Sequence, residues 1–186
     1  MSQTLSDTRL QALMADVAAL RAESDIRRLI SRYAFLCDTP LPDPTLPDDD
    51  ARVEAIVDLY APDAVWEGVG EYYDNQFGQV QGHDGIRAHF RKFWARRNPS
   101  LVLNCHYMTS EQIHVHGDEA DGQWVHFQPW IFSDGTSVLR SSRLNNRFRM
   151  VDGVWKIARY RTENVFIAPL PQGWAESFPS RSDLMK

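Results

Sequence analysis

At Ser100 the repeat of the chain changes, and that change restricts the fold more than any other feature. Before it, apolar residues recur every three to four positions. Leu10, Leu13, Met14, Val17 and Leu20 keep this spacing, and Ile26, Leu29, Ile30 and Tyr33 resume it after Glu23-Ser24-Asp25. That is the pattern of one long helix or two abutting ones. After Ser100, the segments Leu101 to His116, Asp121 to Phe132, Ser137 to Val151 and Val154 to Phe166 are long and rich in β-branched and aromatic residues. His116-Gly117-Asp118, Ser133-Asp134-Gly135 and Asp152-Gly153 separate them and supply the positive-φ positions that hairpin turns need. Helices first and a meander afterwards predict an α+β fold, with a curved antiparallel sheet wrapped around the helices.

Between these halves the elements are shorter. Thr39 to Asp50 holds four prolines and four aspartates with no periodic face and reads as a loop. A short helix is predicted over Arg52 to Tyr60, and short strands over Ala64 to Val69 and Gln79 to Gln81, around an irregular stretch from Gly70 to Gly78. A further helix runs from Asp84 to Arg97, with Asp84 as a possible cap and Ile86, Phe90, Phe93 and Trp94 on one face. The 186 residues suit a single domain, 1–186, with its core over about 22–168 and a tail from 169.

Charge and cysteine usage narrow the function classes. A net charge of −5 disfavours a nucleic-acid partner, and the run Arg87, Arg91, Lys92, Arg96, Arg97 has the spacing of a solvated helix face. Cys37 and Cys105 allow at most one bridge and match no metal-ligand spacing, which suits a reducing compartment. No segment approaches the roughly 20 apolar residues of a membrane span. The expectation is a cytoplasmic protein without metal, cofactor or membrane partner.

The candidate chemistry lies in a few polar residues on otherwise apolar elements. Asp38 falls at or just past the end of the first helix, where the macrodipole disfavours a carboxylate, so something else must favour it there. Tyr33 lies five residues before it. His106 interrupts an apolar strand, where alternation places it with Met108, Ser110 and Gln112 and puts Cys105 on the other face, so Cys105 and His106 cannot form a thiol and base pair. Trp124, His126, Gln128 and Trp130 share a face on the next strand and either line a pocket or meet another subunit; we take the pocket. On the third long strand Leu144, Asn146, Phe148 and Met150 form the apolar face. Asn146 would bind a substrate carbonyl or tie two strands together, while Arg143, Arg147 and Arg149 face outward. His83 reads as a turn residue, His89 as a residue on the polar side of its helix, and His114 with His116 as an exposed pair lacking a third ligand.

The order of Tyr33 and Asp38, then Ala61-Pro62-Asp63-Ala64-Val65-Trp66, Gly82-His83-Asp84-Gly85-Ile86, Asn104-Cys105-His106-Tyr107 and Asp152-Gly153-Val154-Trp155-Lys156-Ile157, resembles the SnoaL-like, scytalone dehydratase-like branch of the NTF2-like superfamily. The resemblance covers roughly Ala22 to Pro169. It implies a cone-shaped barrel around a deep apolar pocket, and an aspartate and histidine pair that falls on Asp38 and His106. Bile acid 7α-dehydratase is similar in having a tyrosine at the position of Tyr33, but carries a further aspartate where this chain offers only His126 and Gln128. Hexachlorocyclohexane dehydrochlorinase uses an arginine on the later strands, for which Arg143 or Arg147 is the counterpart here.

The function expected from this is a cofactor-independent lyase, dehydratase-like, or an isomerase acting on a hydrophobic cyclic small molecule. Asp38, His106 and Tyr33 would be catalytic, and Trp124, His126, Gln128, Asn146 and Phe148 would bind substrate. The alternative is a non-catalytic binding or structural module, such as the small subunit of a ring-hydroxylating dioxygenase. Aromatic residues on the outer sheet face predict a homo-oligomer, and the resemblance implies a trimer before a dimer. Pro169 and Pro171 predict that the tail to Phe178 leaves the sheet and covers the cone mouth or a neighbour, with Trp174 as its anchor.

Overall fold

The computed structural model describes residues 2–41, 43–71, 78–95 and 101–177. The 72–77 part of the irregular stretch, Arg96, Arg97 and the chain from Phe178 lie outside the described residues. Among the described residues, three helices brace one curved sheet, the third following the first two strands. Helix α1 runs unbroken over Ser2–Cys37, α2 over Asp49–Val57, and α3 over Gly82–Ala95. The strands are β1 (Tyr60–Val69), β2 (Gln79–Gln81), β3 (Leu101–Asn104), β4 (Tyr107–His116), β5 (Glu119–Phe132), β6 (Ser137–Val151) and β7 (Val154–Pro169), followed by a single 3₁₀ turn at Trp174–Ser177.

Local chemistry accounts for the boundaries. Asp48 caps α2, its carboxylate accepting the Ala51 N–H at 2.8 Å. Asp84, expected to cap α3, instead lies inside its first turn, bonded to Arg87 at 2.6 Å. The sheet order is β2-β1-β7-β6-β5-β3, with β4 also paired to β5. It is mixed rather than purely antiparallel, because β1 enters from α2 and runs parallel to β7. Along the rest, the meander is antiparallel as expected.

Two features depart from simple alternation. Ser110 adopts a positive φ of 53° at a bulge between Thr109 and Gln112. The extra residue shifts the parity of β4, so Ile113 and Val115 turn inward and Ser110 and Gln112 are exposed, contrary to the uniform alternation predicted. Glu111, released by the bulge, bonds Arg27 of α1 at 2.7 Å and Trp124 Nε1 at 3.2 Å. Likewise β7 continues through Pro169, which pairs with Val138, where the prolines were expected to end it. Pairing with β1 stops at Glu163, so beyond that point β7 is an edge strand, where a missing N–H is tolerated.

The core sits between the sheet's concave face and the helices. Ile26, Ile30 and Leu36 of α1 pack with Ile56, Ile86, Leu144, Phe148 and Ile157, all at most 2% exposed. The N-terminal half of α1 is different: Leu10, Leu13, Met14, Val17 and Leu20 are between 38% and 65% exposed. On the convex face, Tyr107, Phe127 and Phe166 are also exposed. Among the described residues, no helix is long and apolar enough to cross a membrane.

Candidate active site

Helix α1 ends one residue before Asp38, because Pro40 cannot continue the backbone ladder and restricts Thr39. The chain then lies against the outer edge of β3. Thr39 and Asn104 exchange two backbone hydrogen bonds, at 2.8 and 2.9 Å. Two residues further along that edge, the His106 N–H donates to Asp38 Oδ1 at 2.9 Å. The factor that favours a carboxylate at this helix end is now evident. Besides the His106 amide, the guanidinium of Arg52, itself 3% exposed, donates to the Asp38 carbonyl at 2.8 Å and brings a positive charge beside it.

A break in the strand frees His106 from ordinary ladder geometry. Asn104 pairs with Trp130 and Tyr107 with Phe127, so Cys105 lies opposite Pro129 and His106 opposite Gln128. Asn104 and His106 turn their N–H groups away from β5, which leaves Cys105 facing it, and Pro129 has no N–H to donate there. The strand predicted as continuous from Leu101 to His116 is therefore divided at Cys105 and His106.

The polar groups form a connected chain. Asn104 Nδ2 donates to the Cys37 carbonyl at 3.2 Å, and Gln128 Nε2 donates to Asn104 Oδ1 at 2.6 Å. Gln128 Nε2 also lies 3.1 Å from His106 Nε2, while His106 Nδ1 lies 2.7 Å from Asp38 Oδ1. Since a carboxylate only accepts and an amide nitrogen only donates, this network assigns the proton to Nδ1 and the lone pair to Nε2. The Nε2 lone pair of His106 thereby lies on the side of Gln128. That contact is a neutral hydrogen bond, worth about 1 kcal/mol net.

A cavity of about 80 Å³ lies beside this chain. Its lining includes Tyr33 and Cys37 from α1, His89, Phe90, Phe93 and Trp94 from α3, and Asn104, His106, His126, Gln128, Trp130, Arg140, Tyr160 and Thr162 from the sheet region. His126 stacks on His106 with centroids 4.8 Å apart and planes 5° from parallel. Burial, then the neighbouring His106 and Arg140, hold the His126 pKa well below the usual imidazole range. Burial likewise raises the Tyr33 phenol well above its ordinary value, so it stays a donor, while its oxygen accepts from Trp66 Nε1 at 3.4 Å. The thiols are no nucleophiles: burial pushes Cys37 up to about 12 and Cys105 to about 11. Among the described residues, no group of three His, Cys, Asp or Glu is placed to hold a metal.

Of the residues singled out in the sequence, the structure brings Tyr33, His106, His126 and Gln128 to the cavity, with Asp38 behind His106. Trp124, Asn146 and Phe148, expected to bind substrate, do not line it. Trp124 and Phe148 pack edge to face at 6.1 Å, over Gly122, where a Cβ would come within 2.5 Å of the indole. Asn146 Oδ1 accepts the Arg161 N–H at 3.1 Å, so it ties β6 to β7. Arg143 and Arg147 are exposed; the arginine of this strand that reaches the cavity is Arg140. It shares the inward parity of Leu144 and Phe148, a signal present in the alternation but not used. His89 was assigned to the polar side of its helix, yet it follows Ile86 by three and precedes Phe93 by four. It faces inward and lies 4.1 Å from the Trp66 ring, with its pKa lowered to about 4 by burial and then by the charge of Lys92. Trp174 does not line the cavity.

Residues 18–161 match the SnoaL-like domain. Solved structures with the same fold include a hexachlorocyclohexane dehydrochlorinase from Novosphingobium barchaimii, 19% identical over 81% of this chain and 91% of that one, with a TM-score of 0.62. An NTF2-like protein with a cystatin-like fold from Novosphingobium aromaticivorans is 21% identical over 84% of this chain and 90% of that one, TM-score 0.60. A candidate scytalone dehydratase from the same organism is 15% identical over 82% and 89%, TM-score 0.62. At such identities the likeness establishes the fold and nothing finer. No curated protein matches the chain in sequence.

Proposed function

The chain belongs to the SnoaL-like family, with the cone-shaped NTF2-like fold, and from that premise we propose that it is a cofactor-independent lyase or isomerase acting on a small, mainly apolar cyclic molecule. The observation that carries the reading is Asp38 Oδ1 accepting both the backbone N–H and the Nδ1–H of His106, which fixes ring and tautomer with Nε2 as base. His106 Nε2 takes a proton from a carbon next to a carbonyl, and Asp38 stabilises the imidazolium that forms. Tyr33 donates its O–H to the oxygen that gains charge. In elimination, the C–O bond then breaks and the imidazolium returns its proton to the leaving hydroxide, releasing water. In isomerisation the proton goes back to a different carbon. The test is a screen of single-ring ketones and hydroxyketones for elimination or double-bond migration, with His106→Ala as control. Retention of full turnover by that variant would rule out the assignment.

A second reading, a structural or binding module of the kind found as the small subunit of a ring-hydroxylating dioxygenase, is favoured by the exposed row of Tyr107, Phe127 and Phe166 on the convex face. The same row supports self-association, which we take to be a homotrimer, with a homodimer as the alternative. Light scattering of the isolated protein distinguishes them, and a monomer would remove both.

A further inference from the structure

The cavity's electrostatics restrict its ligand more than its apolar rings do. No carboxylate is among the described residues that line it, and its formal cation is Arg140. This residue is 3% exposed, sits opposite Gln128 across the β5/β6 ladder, and holds its guanidinium carbon 4.2 Å from the centroid of the Trp130 ring. The contact of this cation with the aromatic face is worth about 0.5–2 kcal/mol. Two indoles of the same lining add donors to it. Trp94 Nε1 and Trp130 Nε1 are buried without a hydrogen-bond partner, and an indole N–H can only donate. A cationic wall with unused indole donors, and no acid among the described lining residues, is matched by a ligand that brings acceptor oxygens and negative charge.

We propose that this wall binds a carboxylate: the substrate is a small, mainly apolar acid whose carboxylate meets Arg140 and the Trp130 N–H while its acidic carbon lies toward His106. The assignment rests on the cavity being the substrate site, as the proposed function does. The spacing is suitable. His106, Gln128 and Arg140 form one row across three adjacent strands, so with strands about 4.8 Å apart the two functional residues are about 10 Å apart at the backbone. With both side chains reaching inward, a single ring bearing its carboxylate a few bonds from the acidic C–H spans the gap.

Calorimetric titration of the full-length protein with benzoate and cyclohexanecarboxylate, each against its isosteric carboxamide, tests the assignment. The acids are expected to bind about tenfold or more tighter than the amides, the advantage of a charge-assisted over a neutral hydrogen bond. Arg140→Gln should abolish that preference and Arg140→Lys restore part of it. Trp130→Phe, which keeps a ring beneath the guanidinium but removes the N–H, should weaken acid binding about twofold to tenfold. Equal affinity for acid and amide, no binding of either at millimolar concentration, or a preference that survives Arg140→Gln would overturn the proposal. If circular dichroism shows Arg140→Gln to be unfolded, unchanged acid affinity in a folded Trp130→Phe does so instead. His106→Ala must lose turnover under the proposed function but keep the acid preference here. An active His106→Ala would therefore defeat the former and leave the latter standing.

Discussion

The two halves of helix α1 carry the same apolar spacing and meet opposite fates. From Ala22 onward the stripe of Ile26, Ile30 and Tyr33 is buried against the sheet and the other helices, and the helix ends by delivering Asp38 to a strand edge. Before Ala22, Leu10, Leu13, Met14, Val17 and Leu20 repeat the stripe with no described residue covering it. Leu10, Leu13, Val17 and Leu20 follow each other at intervals of three, four and three, the seam of a coiled coil, and Asp16 and Arg21 flank that seam at positions that pair across a parallel dimer or trimer. Periodicity thus reports which side of a helix is apolar and says nothing about what that side meets. One half is committed to the domain's own core, and the other is left exposed.

The contrast can be broken or sharpened by substitution. The largest effect is expected at the helix terminus: Asp38→Asn should lower turnover about 10²- to 10⁴-fold by removing the charge that stabilises the imidazolium, while its amide oxygen can still accept the His106 N–H. Steady-state kinetics with unchanged circular dichroism would show this; activity within tenfold of wild type would remove the site from the helix. Next, Ile30→Ala should destabilise the fold by about 2–5 kcal/mol, measured by urea denaturation, because it opens a cavity in a fully buried position. Deleting residues 1–20 should lower the mass seen by light scattering without reducing turnover by more than about twofold if the exposed half serves assembly alone. An unchanged mass would leave that half without the assigned role.

Smaller effects follow from the buried imidazoles and the exposed stripe. His89 titrates near 4 and His126 well below the ordinary range, so both bind protons on unfolding rather than in the fold. Their burial in the neutral form costs nothing above about pH 6.5, and for His89 it lowers stability progressively as pH falls from there toward 4. Melting temperature measured across that interval should fall with pH, and His89→Gln should make the decline shallower. The smallest change is expected at Leu13→Ala, within about 0.5 kcal/mol in dilute protein, where its exposure leaves little burial to lose. A loss comparable to that of Ile30→Ala would show the two halves to be less different than their burial implies.

The architecture was legible because it depends on repeats and turns: helical spacing before Ser100, hairpin triplets after it. His106 and Asp38 stood out because each is polar at an otherwise apolar or dipole-disfavoured position, while their pairing was implied only by the resemblance. What could not be read is where alternation fails. The bulge at Ser110 inverts half of β4, and no residue there announces it, since serine rarely adopts a positive φ. Arg140 was passed over although its parity was correct, because a buried arginine runs against the ordinary preference for exposure. Trp124 and Asn146 share the inward face with His126, yet depth along the cone separates them from the cavity, and depth depends on tertiary packing rather than on strand period. Gln128 was identified by parity, but its contact with His106 required the register that pairs β4 with β5.

The backbone exchange between Thr39 and Asn104, together with the His106 amide on Asp38, covers the outward-facing amides of Asn104 and His106 on an edge strand. An uncovered edge is a template for pairing with other chains. The segment that holds the imidazole therefore also covers this strand edge. A lineage that abandons the chemistry still has reason to keep an acceptor at position 38, whereas one that replaces it with an aliphatic residue must find another cover for the edge. Amide exchange at Asn104 and His106 would measure the existing cover directly, with no substrate in hand.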